Sequence, residues 1–128
     1  MNNIYLDASA TTPPHKDVIN KLKDIQSKCW GNPSSIHSYG LKAADILERS
    51  RILIAKCLNA NSTDIIFTSS STESNHLAIL GSAKNLKPGR IVLSSVEHPS
   101  VVSAAHQLVD QGWELAFLPV DDSGSVIL

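Results

Sequence analysis

Hydroxyl side chains cluster at residues 69–75, where a short apolar stretch gives way to a helical pattern. The apolar residues 65–67 predict a buried strand, and residues 72–83 predict a helix. The first backbone N–H groups of a helix lack partners within it, and they carry a partial positive charge that favours a bound phosphate. Ser71 and Thr72 would add hydroxyl donors, so the sequence predicts a possible phosphate site at this turn.

A purely structural role for the same turn stays open. Ser70 and Glu73 have the spacing of a capping box, in which the two side chains serve only the start of the helix. The turn matches neither the G-x-x-x-x-G-K-[ST] loop of NTPases nor the G-x-G-x-x-G loop of dinucleotide-binding folds. A helix cap and a phosphate site are therefore both compatible with the sequence.

A second functional group, His98, lies in the loop between a predicted strand at residues 91–93 and a helix that begins with Pro99. Loops that follow consecutive strands lie side by side in about two-thirds of cases, because such strands are usually neighbours. An imidazole beside a phosphate site suggests a ligand with an aromatic ring and a phosphate. An exposed loop histidine without a function is the alternative. The chain has no G-x-S-x-G elbow of a serine hydrolase, and we expect no metal site.

Two helices are predicted ahead of these loops. The first carries apolar residues at helical spacing and ends at residues 31–33. A cap at Ser34 or Ser35 begins the second, which continues to Leu58. The apolar positions of the first helix are Val18, Leu22, Ile25 and Cys29.

The remaining half alternates between strand and helix, which indicates an α/β fold with a parallel sheet. Residues 126–128 resemble the start of a further strand, and we therefore expect a piece of a larger domain. The predicted βαβαβ segment has strands at 65–67, 91–93 and 113–118 and helices at 72–83 and 99–111.

Composition narrows the possible partners. The 128 residues are 42% hydrophobic and carry a formal net charge of −1 without a basic run, so we expect no nucleic-acid partner. No stretch approaches the roughly 20 apolar residues of a membrane-spanning helix, and no signal peptide is evident. These features predict a soluble, cytoplasmic protein without a membrane partner.

Four ordered segments of the chain resemble motifs of the cysteine desulfurases. These enzymes are class-V aminotransferase-like proteins of fold type I that use pyridoxal 5′-phosphate (PLP). The resemblance covers almost the whole chain and identifies it as the N-terminal portion of such an enzyme. The segments are residues 5–13, 31–37, 67–75 and 97–101.

The resemblance implies a partial large domain over residues 1–128, with an N-terminal arm and helices at 1–63 and the cofactor cradle at 64–128. It assigns Ser71 and Thr72 to the PLP phosphate and His98 to stacking on the pyridine ring. Ser70 stands where the family usually has glycine, so the turn would be strained if that glycine needs a positive φ. It assigns no catalytic residue within these 128 positions, because neither the Schiff-base lysine nor the persulfide cysteine of the family has a match here.

The implied reaction removes sulfur from L-cysteine, giving alanine and an enzyme persulfide for iron–sulfur cluster assembly or other sulfur transfer. The resemblance also implies a homodimer and a sulfur acceptor or iron–sulfur scaffold protein as partner. We expect this chain to be inactive by itself. A selenocysteine lyase or another class-V enzyme stays open. So does a non-catalytic α/β module that binds a phosphorylated ligand or a partner protein.

Overall fold

The computed structural model describes residues 4–127 of the chain. The chain divides into two compact units, Met1–Ile66 and Phe67–Leu128. The described part of the first unit contains two helices and a short 3₁₀ turn, whereas that of the second is α/β. The first unit has α1 (Lys16–Lys28), α2 (Ser38–Leu58) and the turn Ser62–Asp64, and the second has α3 (Ser71–Ala83), β1 (Arg90–Ser94), α4 (Pro99–Val109) and β2 (Glu114–Leu118).

Histidine, not serine, caps α2, so the predicted cap at Ser34 or Ser35 is wrong. The Nδ1 atom of His37 accepts the backbone N–H of Gly40 at 3.3 Å. The two serines instead close a turn on Asn32: the Ser34 N–H donates to its Oδ1 at 2.9 Å and the Ser35 N–H to its carbonyl at 3.0 Å. The two serines therefore belong to this turn, and α2 begins beyond it at Ser38.

The helix α1 forms where the apolar spacing predicted it, but it buries none of its residues. Val18 and Leu22, on the predicted apolar face, are 57% and 56% exposed. His15 caps the helix through Nδ1, which accepts the N–H of Asp17 at 3.4 Å. The position of α1 is therefore explained by the spacing of its apolar residues and by its cap, and not by burial of its apolar face.

The strand predicted at residues 65–67 is absent, which corrects the βαβαβ prediction to a single β1–α4–β2 unit preceded by α3. Strands require a neighbour whose backbone completes the ladder. The Ile65 N–H instead donates to the carbonyl of Ser62 at 3.2 Å, and the Ile65 carbonyl accepts a hydrogen bond from the Arg51 guanidinium. Ile66 has no regular secondary structure and is 66% exposed. The backbone N–H and carbonyl of Ile65 therefore bond within the first unit and not to a neighbouring strand.

The two strands of the second unit pair in parallel, in the register that runs from Arg90 opposite Glu114 to Ser94 opposite Leu118. The connecting helix α4 packs against both α3 and β2. This confirms the predicted α/β class and the parallel pairing. Of the further strand predicted at residues 126–128, Val126 forms an isolated bridge with Val120, and Leu128 lies outside the described residues. The buried apolar residues of this unit are Ala83, Ala104, Ala105 and Leu108.

Candidate functional site

The turn before α3 is held by two side chains that serve the helix start. Ser70 is the N-cap, and its Oγ accepts the backbone N–H of Glu73 at 3.2 Å. One carboxylate oxygen of Glu73 accepts both the N–H and the hydroxyl of Ser69, at 2.6 Å and 2.7 Å. The return bond of the predicted capping box therefore reaches Ser69 instead of Ser70.

This cap leaves a separate set of donors at the first turn of α3. Ser71 and Thr72 occupy its first two positions, and both residues are exposed. Across residues 4–127, no hydrogen bond uses the backbone N–H or the hydroxyl of either one. The cap and a phosphate site, which were alternatives in the sequence, use different atoms and are compatible.

Ser70 does not strain the turn. Its backbone is extended, with φ −164° and ψ 164°, a conformation open to any residue. Among the described residues other than glycine, only Asn59 has a positive φ, and it ends α2. The strain considered for a serine at this position is therefore absent, because the turn has no left-handed residue here.

Acidification is expected to loosen this turn through Glu73. Hydrogen bonds from the backbone and then the hydroxyl of Ser69 hold the pKa of the Glu73 carboxyl below the ordinary value of 4.5. Because the folded pKa is depressed, its stabilisation is present above the unfolded pKa and is lost as pH falls through the folded pKa. A carboxyl-carbon NMR titration should therefore give Glu73 a midpoint below 4.5, with the Ser69 amide shift following it. A midpoint at or above 4.5 would contradict these hydrogen bonds.

His98 lies at the start of α4, as the N-cap residue before Pro99. Its Nδ1 accepts the backbone N–H of Ser100 at 3.1 Å and lies 2.8 Å from the Ser100 hydroxyl. The residue is exposed, and across residues 4–127 no hydrogen bond uses its Nε2. One ring nitrogen is thus engaged by α4 and the other is accessible.

A direct hydrogen bond links the two helix starts. The side-chain amide of Asn75 on α3 donates to the Ser100 hydroxyl on α4 at 2.8 Å. Asn75 lies one turn beyond Thr72, and Ser100 lies two residues beyond His98, so the second unit brings the two predicted loops together. Sequence reasoning assigned no role to Asn75 or Ser100. The only signal was a small polar residue at the second position of a helix with an apolar inner face.

Two other kinds of feature are absent from the part of the chain that the structure describes. Across residues 4–127, no cluster of three or more His, Cys, Asp or Glu side chains could hold a metal ion. Within the same range, no helix has the length and apolar character needed to cross a membrane. The assignment of Ser71, Thr72 and His98 to a cofactor stays a prediction.

The chain is similar in sequence to class-V aminotransferases and to proteins named cysteine desulfurases. The family model for the class-V aminotransferases matches residues 4–128. Cysteine desulfurase IscS 1 of Archaeoglobus fulgidus is 44% identical over 126 residues, which are 97% of this chain and 33% of that protein. Cysteine desulfurase IscS of Dictyoglomus turgidum is 45% identical over 125 residues, which are 96% of this chain and 32% of that protein.

Solved structures agree in fold. A NifS-like protein superposes with a TM-score of 0.85 and 28% identity, over 97% of this chain and 34% of that chain. The chain spans about a third of the length of the curated relatives that it matches. The match to the family model covers nearly every position, including both helix starts described above. The chain therefore belongs to the class-V aminotransferase family.

Proposed function

We propose that this chain supplies the phosphate-binding and ring-stacking part of a PLP-dependent cysteine desulfurase. The observation that carries the proposal is the set of free donors on Ser71 and Thr72, next to a helix start that carries an imidazole. Family membership and relatives named cysteine desulfurases support it. Its domain would be the N-terminal part of a PLP-binding fold, with the cradle in the half that begins near residue 64.

The residues fit the phosphate in number and kind. Ser71 and Thr72 together offer two adjacent backbone N–H groups and two hydroxyls in the first turn of α3, where the helix dipole favours an anion. Glu73 is the one carboxylate of this turn, and its hydrogen-bonded oxygen faces Ser69 instead of the free donors. The exposed ring of His98 offers a flat surface at the neighbouring helix start.

PLP, when bound, supplies an electron-withdrawing ring for reactions at the carbon next to an amino group. The part of this chain would be to bind and orient: Ser71 and Thr72 hold the phosphate, and His98 holds the ring by its face. We propose L-cysteine as the substrate, and a neighbour of similar fold supports this, because the solved structure of SspA in complex with cysteine superposes with a TM-score of 0.81. That neighbour is 36% identical over 91% of this chain and 34% of its own.

The wider assignments belong to the same proposal. The products would be alanine and an enzyme persulfide, and the sulfur would pass to an acceptor or an iron–sulfur scaffold protein. We propose a cytoplasmic homodimer for the whole protein. The 128-residue chain would bind the cofactor without completing the reaction, since none of its lysines or cysteines matches the reactive positions of the family.

Binding of pyridoxine 5′-phosphate tests the proposal without interference from lysine chemistry, because this compound lacks the aldehyde. We expect it to bind at least about tenfold more tightly than pyridoxine, as a charge-assisted hydrogen bond contributes about 1.5–3 kcal/mol. Thr72→Ala should weaken the phosphate compound about tenfold and leave pyridoxine unchanged. Calorimetry gives the affinities, and amide NMR shifts at Ser71 and Thr72 give the site.

A matched control is available on the same helix. Ser82→Ala removes an exposed hydroxyl from the last turn of α3 and should leave both affinities unchanged. Equal binding of pyridoxine and its phosphate would refute the cradle. Equal binding of inorganic phosphate and pyridoxine 5′-phosphate, with no effect of His98→Ala, would favour a general phosphate-binding module instead.

A further inference from the structure

Ser100 is the one polar residue buried in the part of the chain that the structure describes, at 6% exposure. It lies between two partners that come from different helix starts. Its hydroxyl is 2.8 Å from the amide nitrogen of Asn75 and 2.8 Å from Nδ1 of His98. A buried hydroxyl with two partners at this distance constrains the direction of each hydrogen bond.

The backbone decides that direction. The N–H of Ser100 is a donor only, and it points at Nδ1 of His98 from 3.1 Å. Nδ1 must therefore present its lone pair, because a hydrogen on it would face the N–H. The Asn75 amide donates to the Ser100 oxygen, which leaves the hydroxyl hydrogen to point at the same Nδ1. Both donors of Ser100 thus converge on one nitrogen of the imidazole.

We propose that Asn75 and Ser100 are positioning residues that fix His98 in the tautomer with its hydrogen on Nε2 and that hold the plane of its ring. Donors from Ser100 reach Nδ1 through both the backbone and the side chain, so a rotation of the ring breaks two hydrogen bonds. Nε2, which no hydrogen bond uses across residues 4–127, then offers a donor to a bound molecule. Asn75 does not contact His98 in this network; it acts by orienting the Ser100 hydroxyl.

That this hydrogen-bond network would help to bind the cofactor rests on the proposed function. A ring with a fixed plane stacks at a smaller entropic cost than a freely rotating one. A hydrogen on Nε2 favours a ligand whose acceptor atom reaches the ring edge. The tautomer itself does not depend on any ligand, so it can be tested separately.

Long-range ¹H–¹⁵N NMR of the labelled chain reads the tautomer of each histidine at about pH 9, where imidazoles are neutral. His106 is the reference, because it lies on the same helix and is exposed. We expect the Nδ1–H form of His98 to be at least about tenfold less populated than that of His106, the effect of about one net hydrogen bond. An Nδ1–H form at His98, or populations equal to those of His106, would overturn the proposal.

Two variants test the roles of the partners. Ser100→Ala removes the hydroxyl, and Asn75→Asp keeps the shape of the side chain but turns the hydroxyl hydrogen towards a carboxylate. Each should move the His98 Nδ1 shift towards that of His106, with the backbone amide spectrum otherwise preserved. An unchanged Nδ1 shift in a folded Asn75→Asp protein would exclude the network even if Ser100→Ala fails to fold.

The two proposals can fail separately. A correct tautomer with no preference for pyridoxine 5′-phosphate over pyridoxine would refute the cofactor cradle and leave the positioning network standing. Tight phosphate-dependent binding with the wrong tautomer would do the reverse. If both hold, Ser100→Ala should weaken pyridoxine 5′-phosphate several-fold, whereas Ser82→Ala should not. Unchanged binding by a folded Ser100→Ala protein would refute the link from the network to the cofactor.

Discussion

Gly40→Ala is expected to unfold the first unit. A Cβ at this position would lie 2.2 Å from the Ser35 carbonyl oxygen and 2.7 Å from that of Asn32. Both obstacles are backbone atoms of the turn before α2, so neither can move aside by a rotamer change. We expect a loss of about 3 kcal/mol or more in the free energy of unfolding, as in severe overpacking. Urea denaturation followed by ¹⁹F NMR of labelled Trp30 measures it, because Trp30 stacks on the neighbouring Tyr39 with ring centroids 5.1 Å apart.

Gly81→Ala is the matched control, since it makes the same change within a helix where, apart from the adjoining backbone of α3, no atom lies within 4 Å of the new Cβ. It should raise the stability of the second unit by about 0.5–1 kcal/mol, the usual gain when alanine replaces glycine in a helix. Labelled Trp113, the other tryptophan of the chain, reports on that unit. If Gly40→Ala were as harmless as Gly81→Ala, the close packing of the turn on α2 would be refuted.

Leu108→Ala is expected to cost about 2–5 kcal/mol in the second unit, because it leaves a cavity where the core is small. Leu108 is 3% exposed, and its buried neighbours on α4 are alanines that cannot fill the space. The backbone carbonyl of Leu108 accepts the N–H of Trp113 at 3.0 Å, and alanine keeps this carbonyl, so the loss in stability reports on the side chain alone. Urea denaturation of the variant, read at Trp113, gives the change.

Val109→Ala on the same helix separates burial from helix propensity. Val109 is 38% exposed, and alanine favours a helix more than valine does. We therefore expect a change within about 0.5 kcal/mol, as for most surface positions. A loss at Val109 equal to that at Leu108 would mean that the inner face of α4 has been misidentified.

Local sequence signals predicted the helices well, because their causes lie within a few residues. Pro99 begins α4 as expected, and Gly112 takes a φ of 91° in the turn that follows it. Residues 72–83 predicted α3 to within one residue of its observed start. The strands at 91–93 and 113–118 were also correct in place, and their parallel pairing follows from the helix between them.

The choice of hydrogen-bond partner accounts for what the sequence missed. Residues 65–67 have strand composition, but the backbone N–H and carbonyl of Ile65 bond to Ser62 and Arg51 rather than to a neighbouring strand. The predicted serine cap of α2 was wrong: the two serines lie in a turn closed on Asn32, and the His37 side chain caps the helix that begins beyond that turn. The residue types of a segment can favour a strand or a helix cap. Whether the strand or the cap forms depends on which hydrogen-bond partners are available in the fold.

The candidate site divides in the same way. The sequence alone determined the kinds of groups, namely hydroxyls and free amides at one helix start and an imidazole at another, because hydroxyl content and helix boundaries are local. The local geometry of the turn leaves Ser71 and Thr72 outside the cap, whereas only the tertiary structure decided that Asn75 and Ser100 join the two helix starts across 25 residues. A hydrogen bond between helices depends on how those helices pack, and no spacing along the chain encodes that distance.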